Sequence, residues 1–117
     1  MGLELRSNKW ASMKVTAPTA GYVAGQMVKV EDTIGVIVED ADAGAEAVLI
    51  YECEKIVVPK NAASSVAFSI GDKVYFDESA GAVTATSTGN TLCGRATEAA
   101  ITTDDEVEID LKGNIVA

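Results

Sequence analysis

Clustered carboxylates are the residues whose spacing comes nearest to a chemical site. Asp40, Asp42 and Glu46 are spaced like the start of a calcium-binding loop, in which alternate oxygens surround a hard cation. The third ligand, the glycine in register and the distal glutamate of such a loop are missing. The run 104–106 could do acid–base work if one carboxylate were desolvated, but nothing nearby indicates a pocket. We interpret both clusters as solvated turns and predict no metal site.

The absence of histidine excludes most familiar catalytic units. The 117 residues contain none, so a Ser-His-Asp triad, a Cys-His pair and a His-containing zinc or haem site are impossible. The glycines form neither G-x-G-x-x-G nor a Walker loop, and we expect no nucleotide cofactor. We therefore predict that the protein is not an enzyme and has no catalytic or cofactor-binding residues.

The charge balance argues against nucleic acid as a partner. There are 18 acidic and 9 basic side chains, giving a formal net charge of -9. Proteins that bind DNA or RNA concentrate lysine and arginine to neutralise phosphates. We expect no direct nucleic-acid binding.

Two further residue types have alternative interpretations. Cys53 and Cys93 lie 40 positions apart without CxxC spacing, which favours two buried, reduced thiols over a disulfide. Ser12-Met13-Lys14 faintly resembles the lysine motif of biotin-carrying domains, although that lysine belongs at a mid-chain hairpin tip. A stand-alone β-barrel adaptor or carrier module of the biotinyl or lipoyl type is the alternative hypothesis.

Three apolar side chains near the N-terminus follow neither a strand nor a helix spacing. Leu3, Leu5 and Trp10 alternate irregularly with polar residues, so residues 1–11 are predicted to form an arm. Exposed aromatic and aliphatic side chains often anchor one chain in a pocket of another. We predict that these three residues contact another protein chain.

Composition predicts an all-β domain over residues 12–117. The sequence has 14 Val, 8 Ile and 10 Thr against 5 Leu and 3 Met, and β-branched residues prefer strands. Turn residues divide it into about seven to nine short strands, typical of a small antiparallel barrel or sandwich. Hairpins are predicted at 27–38 and 73–86.

The remaining segments give more specific expectations. The longest strand signal runs from Ala47 to Val58 before Pro59, and its broken alternation near 56–58 indicates a bulge or a change of sheet. Residues 98–103 could hold one helical turn. In the segment 106–111, Val107, Ile109 and Leu111 are predicted to face inward and all three carboxylates outward.

Membrane insertion is not expected, because the longest apolar runs fall far short of the roughly 20 residues needed to span a bilayer. The N-terminus lacks the features of a signal peptide, so synthesis in the cytoplasm is expected.

Several motifs together resemble a known family. They are Ile70 to Asp77 with the following Ala80 to Thr84, and Thr88 to Ala96, within a similarity covering about residues 15–111. The pattern resembles the capsid cement or decoration proteins of tailed bacteriophages. Its motifs are turns and strands and carry no chemistry.

The resemblance implies a structural virion protein on the outer capsid surface, made in the bacterial host cytoplasm. Its partner would be the major capsid protein, whose lattice it would stabilise against the pressure of packaged DNA. Such proteins usually act as symmetric clusters, so a homo-oligomer is expected, with a trimer the first expectation and a dimer the second.

Overall fold

Strands make up the whole of the regular structure that is described. The structure is a computed structural model and describes residues 4–7, 9–61 and 66–113. In that part of the chain there are nine strands and no helix, which confirms the all-β prediction. The strands are β1 (Glu4–Leu5), β2 (Trp10–Thr16), β3 (Met27–Val30), β4 (Thr33–Ile37), β5 (Glu46–Pro59), β6 (Lys73–Asp77), β7 (Ala82–Thr84), β8 (Thr91–Ala96) and β9 (Glu106–Lys112).

Strand β5 is the longest and organises the sheet, because it pairs along both edges. One edge takes β1 and β2, while the other takes β4 along its first half and β9 along its second. Cys53, for example, lies between Trp10 and Leu111. The register between β5 and β9 shifts between Cys53 and Ile56, just before the residues 56–58 at which the sequence indicated a bulge or a change of sheet.

The second half of β5 belongs to a nearly closed antiparallel barrel. From β5 the sheet continues through β9, β8 and β6 to β7. A parallel bridge between Lys60 and Val83 then returns the sheet to the residue after β5. The first half of β5 instead forms a side sheet with β2, β4 and β3.

The main core fills the barrel and one face of the side sheet. Its side chains are fully buried or nearly so, and include Ile34, Val36, Ile50, Cys53, Ile56, Val58, Val74, Phe76, Cys93, Ile109 and Leu111. A smaller cluster of Val15, Ile37, Ala47 and Leu49 covers the opposite face of the side sheet.

Gly35 lets two strands approach closely. A Cβ built on it would lie 2.7 Å from Cγ of Leu49 and still closer to the carbonyl oxygen of Ile50. The close contact is therefore one that only glycine accommodates at this point of β4.

Two sequence expectations are wrong. Residues 98–103 hold no helical turn, because Ala100 forms an antiparallel bridge with Phe68 instead. Glu108 does not face solvent, since it is only 7% exposed, although Val107, Ile109 and Leu111 are buried as expected. Both predicted hairpins are confirmed as β3–β4 and β6–β7.

Candidate functional site

The three residues predicted to contact a partner have different environments. Leu5 lies in β1 opposite Ile56 and packs, partly buried, against the main core. Trp10 is the first residue of β2 and its side chain is half-exposed. Leu3 lies outside the described residues. The segment predicted as an arm thus includes two strand pieces that pair with β5.

Trp10 borders a groove of about 330 Å³ with a mixed charged rim. Lys9, Ala11, Glu52, Glu54 and Lys112 complete its lining. Lys9 Nζ lies 3.9 Å from a carboxylate oxygen of Glu54, and both side chains are mostly solvent-exposed. The groove offers an indole surface next to charges of both signs, an arrangement suited to contact with another protein.

Two isoleucines that sequence reasoning did not single out are also exposed. Ile70 is 73% and Ile101 65% exposed. Each lies in a turn that an aspartate closes: in 69–72 Asp72 accepts the Ser69 N–H, and in 101–104 Asp104 accepts the Ile101 N–H. The turns are connected through the Phe68–Ala100 bridge. The sequence signal was an apolar residue inside an Asp-containing turn, which is where solvent exposure is expected.

Glu108 is the most unusual carboxylate in the described part of the chain. The Arg6 guanidinium donates a hydrogen bond to its Oε2 at 3.0 Å, and the Thr97 hydroxyl donates to its Oε1 at 2.8 Å. Burial acts to raise the pKa of Glu108. The hydrogen bonds from Thr97 and Arg6, with the positive charges of Arg6 and Lys55, outweigh burial and hold this pKa below its ordinary value of 4.5.

Two carboxylates of the predicted 40–46 cluster make local structural contacts. Asp40 accepts a hydrogen bond from the Ala24 N–H at 2.8 Å, and Glu46 lies 3.6 Å from Lys14 Nζ. Among residues 4–7, 9–61 and 66–113, no three His, Cys, Asp or Glu side chains are placed to hold a metal ion. Lys14 lies inside strand β2, whereas a carrier lysine belongs at a hairpin tip.

Both cysteines are buried free thiols, as the sequence predicted. Burial raises the pKa of Cys93 to about 12 and is also the main cause of the raised pKa of Cys53. Neither thiol is therefore prepared to act as a nucleophile. In the described residues no helix is long and apolar enough to cross a membrane.

These features define a small all-β protein that exposes apolar side chains at the start of a strand and in turns closed by aspartate hydrogen bonds. The family model for phage cement proteins matches residues 7–111, nearly the whole chain, and the protein belongs to that family. Membership indicates a structural role in a phage, in association with the capsid and hence in the virion. A search of curated proteins finds no match.

Proposed function

We propose that this protein binds the major capsid protein on the exterior of the assembled phage head and stabilises the capsid lattice. The match to phage cement proteins over residues 7–111 is the observation that carries the proposal. The formal net charge of -9 agrees with an outer position, because negative charge keeps particles dispersed and does not attract DNA.

Stabilisation follows from mass action. A protein that binds only the assembled shell lowers the free energy of that shell by its binding free energy, repeated over many sites. No reaction is required, and we propose that the protein is not an enzyme. The two buried thiols with raised pKa values and the lack of histidine support this.

We assign the capsid contact to residues 1–11, with Leu3, Leu5 and Trp10 as the apolar side chains that make it. Trp10 supports the assignment because its indole is half-exposed at the start of a strand that already pairs with β5. Its backbone is therefore ordered before binding, which lowers the entropic cost of binding. The protein acts as a symmetric homo-oligomer, a trimer in preference to a dimer. It is made in the host cytoplasm and joins the head there.

Trp10→Ser tests the contact. Truncating a central aromatic anchor costs at least about 2 kcal/mol of binding free energy, so the variant should bind heads at least roughly thirtyfold more weakly. Co-sedimentation of purified protein with expanded, undecorated heads of the matching phage measures this. Point substitution is preferable to deleting residues 1–11, which would remove β1 and the start of β2.

Ile101→Ser is the matched control, because it also removes an exposed apolar side chain but lies in a turn that follows β8. It should bind heads like the wild type. Equal weakening of both variants, or weakening of Ile101→Ser alone, would contradict the assignment to Trp10. If the wild-type protein does not bind matched heads, the proposed function itself is wrong.

A further inference from the structure

In the part of the chain that the structure describes, the N-terminal segment, residues 4–6, is held to the barrel by a two-residue strand and by the Leu5 and Arg6 side chains. β1 is only two residues long and pairs with Ile56 and Val57 of β5. Just after it, the Arg6 N–H donates to the Lys55 carbonyl at 2.8 Å. Leu5 packs against the main core from this position. A pairing this short contributes little stability alone, so its side-chain contacts decide whether the segment stays in place.

The Arg6 side chain supplies a charged contact between the segment and the barrel. It reaches Glu108 on β9, on the other side of β5 from its own segment. Arg6 is 44% exposed and Glu108 only 7%, so the partner buried in the barrel wall is the carboxylate. Thr97 holds that carboxylate from the end of β8, which fixes it independently of Arg6.

We propose that the Arg6–Glu108 ion pair is a releasable attachment that keeps the N-terminal segment on the barrel and withholds Leu5 from other chains until it opens. In the closed state Leu5 is partly buried against its own core, so its whole side chain can contact a neighbouring chain only after residues 4–6 leave β5. The regulatory consequence rests on the proposed function, since it concerns the segment assigned to capsid contact. The attachment itself is a property of the free protein.

The charges around Glu108 make the attachment sensitive to acid. A second groove lies beside Glu108, on the surface of the barrel. The charged groups that line it or act on Glu108 are Arg6, Lys55, Glu98, Asp104, Asp105 and Glu106. Because the pKa of Glu108 is lowered in the closed state, the ion pair contributes its full stability above about pH 4.5. That contribution is lost as the pH falls through the lowered value.

Hydrogen exchange of the Arg6 amide in the free protein tests the attachment. Glu108→Gln keeps the shape of the side chain but removes its charge, and should accelerate exchange at neutral pH roughly five- to tenfold. Arg6→Gln removes the charge of the more exposed partner and should accelerate exchange of the amide at position 6 by a similar factor. Glu46→Gln is the matched control, because it removes an equal charge from the exposed pair with Lys14 and should leave exchange unchanged.

The pH dependence gives a second readout on the same samples. NMR signals of the Leu5 methyl groups in the wild type should shift below about pH 4.5 while those of Ile109 in the core stay native. In Glu108→Gln the Leu5 signals should already be in the open position at neutral pH. Unchanged Arg6 exchange in both variants, or simultaneous loss of the Leu5 and Ile109 signals, would overturn the proposal.

Head binding separates this inference from the proposed function. If residues 4–6 must leave the barrel before binding, Glu108→Gln should bind expanded heads up to roughly tenfold more tightly than the wild type. The reason is that a larger fraction of the variant is in the open, binding-competent state. Glu46→Gln should not differ from the wild type. Tighter binding by both variants, or weaker binding by Glu108→Gln, would overturn the regulatory role. Faster exchange with no head binding by any form would retain the attachment and reject the function.

Discussion

Lys60 and Glu108 are charged side chains that the fold buries, and each has its polar atoms satisfied. Lys60 is 3% exposed, and its Nζ donates to the carbonyl oxygens of Asn61, Thr102 and Asp104 at 2.9 to 3.2 Å. Two of these acceptors lie in the loop before β9, so the ammonium fastens that loop beside the bridge that closes the barrel. Buried charges are tolerated only when hydrogen-bonded in this way.

Lys60→Met should destabilise the protein while keeping most of the buried volume. The three carbonyl oxygens lose a charged donor, and the expected cost is about 2 to 4 kcal/mol of unfolding free energy. Urea denaturation measures it. Lys14→Met is the control, since that side chain is 73% exposed and its loss should change stability by less than about 0.5 kcal/mol. Equal stability of the two variants would show that the Lys60 contacts contribute nothing.

Neither buried charge could be recognised from the sequence. Alternation along β9 assigns residues 106, 108 and 110 to one face, and that face is normally solvated in a strand with one apolar side. What buries Glu108 is Arg6, which is 102 positions away along the chain, together with Thr97. Lys60 likewise follows Pro59 in a segment that reads as an ordinary turn, and its acceptors lie 42 and 44 positions further on.

At the scale of the elements, the alternation of apolar and polar residues predicted the features that depend on neighbouring residues alone. Hairpins β3–β4 and β6–β7 followed from alternating apolar residues around short polar turns, and the bulge in β5 followed from lost alternation. Strand β1 was not predicted, because two residues show no period and their pairing depends entirely on β5. The helical turn expected at 98–103 failed for the same reason, since the long-range bridge to Phe68 fixes that segment.

Gly35→Ala should show how tightly β4 and β5 pack. The added Cβ would overlap the Leu49 side chain and the Ile50 carbonyl, which requires a backbone shift costing about 3 kcal/mol. Gly44→Ala is a useful comparison, because that glycine has φ of +78° but nothing within 4 Å of the added Cβ. It should lose only about 1 kcal/mol from backbone strain. Chemical denaturation that ranks Gly44→Ala as the costlier change would contradict this packing argument.

At the scale of the whole molecule, charge opposes the self-association that the proposed function calls for. Each chain carries a formal net charge of -9, so bringing copies together costs electrostatic free energy that salt screens. Contacts that hold an oligomer must therefore be apolar or pair opposite charges locally, as exposed Trp10 and Ile70 allow.

The proposed trimer should accordingly strengthen with ionic strength. Light scattering of the purified protein is expected to show a larger trimer fraction at about 500 mM than at about 50 mM NaCl, because the screening length shortens about threefold. A monomer at every salt and protein concentration would contradict a pre-formed trimer and leave assembly on the head as the only route. Weaker association at high salt would mean that attraction between opposite charges holds the copies together.

The pairing of β2 with β5 has a mechanical consequence. All seven residues of β2 have partners on β5, and those interstrand hydrogen bonds run across the strand direction. A pull on Trp10 directed along the strand would therefore load the bonds in shear, all at once, instead of opening them one after another. Since β5 also pairs with β4 and β9, the force would pass directly into the barrel. Force that the capsid applies at Trp10 along β2 would therefore act in the direction in which this strand pairing resists separation most strongly.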